Sequence, residues 1–106
     1  MKVTLLITSI LTNDGTYKLH TIDLATARLL CAGNTVESAI GIAQTCDLLT
    51  ELLGFDVPVN RQQYSQQPGE IALVFRLNAR IPEGKVLTRE ELDEIGYSFK
   101  VLERLQ

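Results

Sequence analysis

The chain has 106 residues, 45% of them hydrophobic and 22% charged, with a net charge of −3. That is the length of a single domain, 1–106, with a modest core and an ordinary globular composition. The acidic balance argues against a protein that coats duplex DNA, and no apolar run reaches the ~18 residues of a membrane span, so neither duplex DNA nor a membrane is expected as partner.

The opening stretch MKVTLLITSIL is apolar, but Lys2 is a lone basic residue and no small-residue cleavage site follows. Lys2 to Leu11 therefore reads as a strand buried on both faces rather than a signal peptide. Asn13-Asp14-Gly15 is a turn signal, and TYKLHTIDL after it reads as a second strand, paired with the first in a hairpin through Thr12 to Thr16. Asp23 is placed to cap a short helix over Leu24 to Cys31, stopped near Gly33. Asn34 or Thr35 is expected to cap the long helix that carries SAIGIAQTCDLLTELLG, Ser38 to Gly54. On it Val36, Ala39, Ile40 and Ala43 form one apolar face, and Ile42, Cys46, Leu49 and Leu53 a second one about 100° away. A helix apolar on two sides is buried twice, under a sheet and a neighbour or in a dimer, and Gly54 is its left-handed stop.

A strand is expected from Val59 to Tyr64, then a type II turn at Gln67-Pro68-Gly69-Glu70. EIALVFRLNARI is a strong strand, broken by Pro82-Glu83-Gly84. Thr88 and Glu91 make a capping box for a helix from Arg89 to Ile95, ended by Gly96, and YSFKVLERL is an alternating last strand. The predicted order is β-β-α-α-β-β-α-β: an α+β domain, a mixed sheet flanked by helices.

The chemistry on offer is narrow. Cys31 and Cys46 stand 15 residues apart with no CxxC and no clustered histidines, which predicts buried free thiols in a cytoplasmic chain and no metal. His20 reads as a surface or edge residue, and neither a phosphate-binding glycine loop nor any cofactor motif is present. What remains is a set of arginines beside backbone breakers: Asn60 and Arg61 in VPVNR, then Arg76 and Arg80 four apart along a strand, with Glu83 just beyond. Arginine grips phosphate bidentately, so these could form an anion pocket. Arg80 and Glu83 could equally be a surface ion pair worth ~0–1 kcal/mol. Composition and spacing leave both readings open.

The order of motifs goes further. SAIG followed by T, LL and LLG, then VPVNR, RIPEG and ELDEIGY with its closing strand, resembles the small viral and bacterial family that includes the anti-CRISPR ring nucleases of type III systems. The resemblance spans Thr35 to Glu103. It implies a homodimer that binds cyclic tetra-adenylate, a second messenger of type III CRISPR defence, across its two-fold axis. It also implies metal-independent cleavage, in which a ribose 2′-OH attacks the adjacent phosphate and leaves linear products with 2′,3′-cyclic phosphate ends. Carried over by motif, Arg80 resembles the catalytic arginine and Glu83 the glutamate beside it. Asn60 and Arg61 resemble the pair near the ring, and Ser38 and Gly41 the helix start against the nucleotide; Arg76 is added as a further ligand-binding candidate. The departure is Ile42, where the nuclease members carry the histidine that protonates the leaving 5′-oxygen. Thr8-Ser9-Ile10 likewise replaces an early Asn-Ser pattern. Three functions follow: a protein that sequesters the ring because its acid is missing, a slow ring nuclease, or a reused scaffold acting as a protein-interaction module.

Overall fold

The computed structural model describes residues 2–8, 11, 13–79 and 87–106. Its elements are β1 (Lys2–Leu6), β2 (Tyr17–Ile22), α1 (Leu24–Ala32), β3 (Thr35–Ser38), α2 (Ala43–Leu53), β4 (Ile71–Leu77), α3 (Arg89–Ile95) and β5 (Tyr97–Arg104). The α+β class and the mixed sheet agree with the sequence reading, but the order is β-β-α-β-α-β-α-β, with a strand where the long helix was expected to begin.

The cause lies in β1. Val3, Thr4, Leu5 and Leu6 are all buried, so the strand needs a partner on each edge and cover on each face. It takes β3 on one side and β4 on the other, both parallel, in a sheet ordered β2-β5-β4-β1-β3. Thr35 and Val36 are β-branched and suit that edge better than a helical first turn. A hydrogen-bonded ion pair of 2.6 Å between Lys2 and Glu37 closes the β1–β3 pairing at its outer end. The expected hairpin of the first two strands does not form. β2 runs antiparallel to β5 at the far edge of the sheet. Its exposed Lys18 to Thr21 fit an edge, and the buried run of β1 does not. The strand expected from Val59 to Tyr64 is also not there; the segment is irregular and held by side-chain hydrogen bonds.

Register sorts the side chains by face. Val3, Leu5, Leu73, Phe75, Phe99 and Val101 point to the side on which α1, α2 and α3 deliver Ala27, Cys46, Leu49, Leu52 and Leu92. Phe75, Tyr97 and Phe99 pack ring against ring there, with centroids 5.3–5.9 Å apart. The other face carries a smaller cluster of Leu6, Ala72, Val74 and Leu102 that includes no helical residue. One end of this face is covered by the irregular segment, whose Gln66 amide donates to the carbonyls of Glu70 and Leu102 at 2.8 and 2.9 Å.

The local signals hold elsewhere. Asp23 accepts from the Thr26 amide at the start of α1, a bond that lowers the Asp23 pKa. Gly54 ends α2 at φ 83°, and Gly69 takes φ 87° in a turn closed by the Glu70 amide on the Gln67 carbonyl. Thr88 and Glu91 form the reciprocal capping box of α3. Cys31 and Cys46 are free and buried, and burial pushes the Cys31 thiol up to about 11.

Candidate ligand site at the α2 entrance

The carboxyl ends of the parallel strands β1, β3 and β4 open toward the N-terminus of α2, the usual place for a ligand crevice in such a sheet. β3 stops at Ser38 because the chain must turn there into α2. The Ala39 amide adds one more bond to the Leu5 carbonyl, and the Ile40 amide donates to Ser38 Oγ. Ile40 is fully buried and anchors the turn, which leaves Gly41 and Ile42 facing outward. Ile42 is the N-cap of α2. It contributes no side-chain cap hydrogen bond, its side chain is 47% exposed, and no acidic residue stands in the first turn. The positive end of the helix is thus marked by an aliphatic group at the surface.

The VPVNR segment packs directly onto this turn. The Asn60 amide donates to the Ile40 carbonyl and its Nδ2 to the Ser38 carbonyl, each at 2.8 Å. Gln62 Nε2 donates to the same Ser38 carbonyl at 3.1 Å and to Glu37 Oε1 at 3.3 Å. Glu37 is held below the usual carboxylate range by the hydrogen bond from Lys2 and then by that from Gln62. Behind the turn, the Cys46 thiol lies 3.8 Å from the Ile40 carbonyl and 3.6 Å from that of Pro58, and burial pushes its pKa up. The stem of Arg61 lies against Gly41 so closely that a Cβ there would sit 2.8 Å from Arg61 Cγ and 2.9 Å from its Cβ. Glycine is needed at this position for that approach, not for a left-handed backbone.

The sequence candidates therefore divide. Ser38, Gly41, Ile42, Asn60 and Arg61 come together at one place. Within it, Gly41, Ile42 and Arg61 are exposed, while Ser38 is buried and Asn60 braces the turn. The Ser38 and Gly41 turn precedes the helix rather than opening it. Arg76 stands at the end of β4, two strands from β3, on a cavity of about 400 Å³ with Thr8 and Lys100. Arg80 and Glu83 lie outside the described residues. Lys100 and Gln62 were not singled out by the sequence, and Thr8 only as part of the Thr8-Ser9-Ile10 departure from the family pattern. Lys100 joins Arg76 through the pairing of Val74 with Lys100 across β4 and β5, which nothing in a linear pattern announces.

The arrangement can hold an anion and can brace it. The chain's single histidine is not at the α2 entrance: His20 sits on β2, at the opposite edge of the sheet from β3. Among the described residues no cluster of three His, Cys, Asp or Glu could hold a metal ion, and no helix is long and apolar enough to cross a membrane.

Comparison with known proteins gives one consistent result. The sequence model of the STIV B116-like family matches residues 3–99. YddF of Bacillus subtilis, an uncharacterized protein, is 31% identical over 107 aligned residues that cover 99% of each chain. ORF117 of Acidianus two-tailed virus is 39% identical over 70 residues, 65% of this chain and 60% of that one. Among solved structures, B116 of Sulfolobus turreted icosahedral virus superposes with a TM-score of 0.82 at 26% identity, over 97% of this chain and 99% of that one.

Proposed function

From a chain that belongs to the STIV B116-like family and presents an aliphatic N-cap at its candidate site, we propose a protein that binds a cyclic oligoadenylate, probed first as cyclic tetra-adenylate, and acts by holding it. Sequestration of such a second messenger would antagonise or tune type III CRISPR signalling from the cytoplasm. The observation that carries the reading is the position of Ile42: exposed, at the head of α2, beside Gly41 and the Arg61 stem. An acid placed there would meet a ligand, and an isoleucine there can meet it but cannot protonate it.

The chemistry makes the distinction. Cleavage moves the 2′-hydroxyl oxygen onto phosphorus, expels the 5′-oxygen, and requires a proton for that leaving group. General-acid assistance contributes typically ~10²–10⁴ in rate. Positioning and charge stabilisation by arginine would remain, with Arg80 and Glu83 as the groups that the motif resemblance assigns to the reacting phosphate and ribose. A homodimer would present two such entrances to one ring, which suits a ligand with its own internal symmetry.

The test is incubation of the purified protein with cyclic tri-, tetra- and hexa-adenylate, with binding read by thermal shift and products by chromatography after an hour and a day. A rise in melting temperature with the ring recovered intact is the expected result. Linear product that depends on Arg80 and not on added metal would replace sequestration with a slow ring nuclease. No shift with any ring would sink the reading and return the fold to a protein-interaction role.

A further inference from the structure

We infer that Arg76 and Lys100 form a second anion pocket, on the helix-free face of the sheet, which takes a phosphodiester of the same oligonucleotide that enters at α2. For the identity of the ligand this rests on the oligoadenylate reading; the pocket itself stands on geometry. Val74 pairs with Lys100 across β4 and β5, so their side chains share a face, and Arg76 lies two residues further along the same side of β4. The two cations border a cavity of about 400 Å³ whose remaining described lining is Thr8, Ile7 and Val74: one hydroxyl, an apolar floor and no carboxylate. Among the described residues neither cation has an ion-pair partner. In a chain with a net charge of −3, two neighbouring cations with no carboxylate partner among the described residues are a local reversal of the overall field.

The chemistry favours a nucleotide over a simple carboxylate. The guanidinium fork matches two phosphate oxygens, the ammonium adds a point charge, and aliphatic Val74 and Ile7 offer a surface for a base. Position connects this pocket to the α2 entrance. Arg76 and Ile7 also line a neighbouring cavity of about 340 Å³ that reaches Thr45 in the first turn of α2. Arg76 thus stands on the lip between the two faces, where one extended anion can touch both.

The deciding experiment is an NMR titration of the full chain at low ionic strength with two probes, cyclic tetra-adenylate and the 5′-phosphorylated linear diadenylate, on wild type, Arg76→Gln, Lys100→Gln and Lys100→Arg. Amide shifts at Val74–Leu77 and Ser98–Val101 are expected with both probes. Lys100→Gln and Arg76→Gln should each weaken binding about tenfold, and Lys100→Arg should restore most of it. If the ring is ignored while the linear probe still moves these amides and responds to both glutamines, the ring reading falls and the pocket stands. If the ring binds but moves only residues 38–45 and 60–61, and both glutamine variants bind like wild type, the pocket falls and the ring reading stands. Silence of these amides toward both probes also overturns the pocket.

Discussion

Ile42 and Gly41 stand side by side at the α2 entrance, and a substitution at each tests the proposed site in the opposite direction. Ile42 is held in place by the backbone alone, through the bond from the Cys46 amide to its carbonyl, so its side chain can be exchanged without loss of a cap. Ile42→His should therefore fold normally and, with cyclic tetra-adenylate, raise linear product by ~10²–10⁴ over the wild-type level, read by chromatography. An unchanged product level would show that this position does not face the scissile bond. Gly41→Ala does the reverse: the new methyl meets Arg61 at its Cβ and Cγ, so the VPVNR segment must shift, and both ring affinity and melting temperature should fall, although φ at Gly41 is not left-handed. At this scale the sequence was informative about identity and blind to duty. SAIG and VPVNR pick out residues that the fold brings to one place, but only the folded chain tells that Asn60 gives its side-chain amide to Ser38 while Arg61 is left exposed.

At the scale of elements, strong local chemistry was legible and weak local chemistry was not. The Asp23 cap, the Gly54 stop, the turn at Gly69 and the capping box of α3 are encoded by residues within four positions of one another. The α3 helix spans only seven residues, too short to stand without its ends, so Thr88→Ala should destabilise the protein by ~1 kcal/mol in urea unfolding. A neutral result would mean that the packing of Leu92 against the sheet suffices. The Thr35 to Ser38 segment misled because hydroxyls and an acid ahead of an apolar run are also what a helix start looks like. Its true state is decided by the free edge of β1, more than 30 residues away in sequence.

For the molecule as a whole, the α+β class could be read from the alternation of elements, whereas the strand order could not, because every pairing except that of β4 with β5 joins strands that are not consecutive in the chain. The helix-bearing face is the thicker one, and Cys31 lies within it. With its pKa pushed up to about 11 from an ordinary 9.0, the thiol stays neutral in the fold where the unfolded chain would ionise it. The sign follows: its contribution to stability is complete below pH 9.0 and is lost as pH rises through about 11. Urea unfolding followed from pH 8 upward should show a decline that Cys31→Ala flattens, though at a lower baseline from the lost packing; parallel profiles would place the alkaline loss elsewhere.

The place of β5 between β4 and β2 has a consequence for how the chain is made. β2 leaves the ribosome early, yet its partner strand begins only at Tyr97. Until then β2 has nothing to pair with, and β4 lacks cover on one edge. The nascent chain must carry an unpaired β2 through most of its synthesis and an open β4 edge from Ile71 onward, and the sheet closes in one late step. A chain stalled before Tyr97 would thus be a sticky intermediate and not a smaller version of the protein, so premature termination near its end should read out as aggregation rather than as partial function.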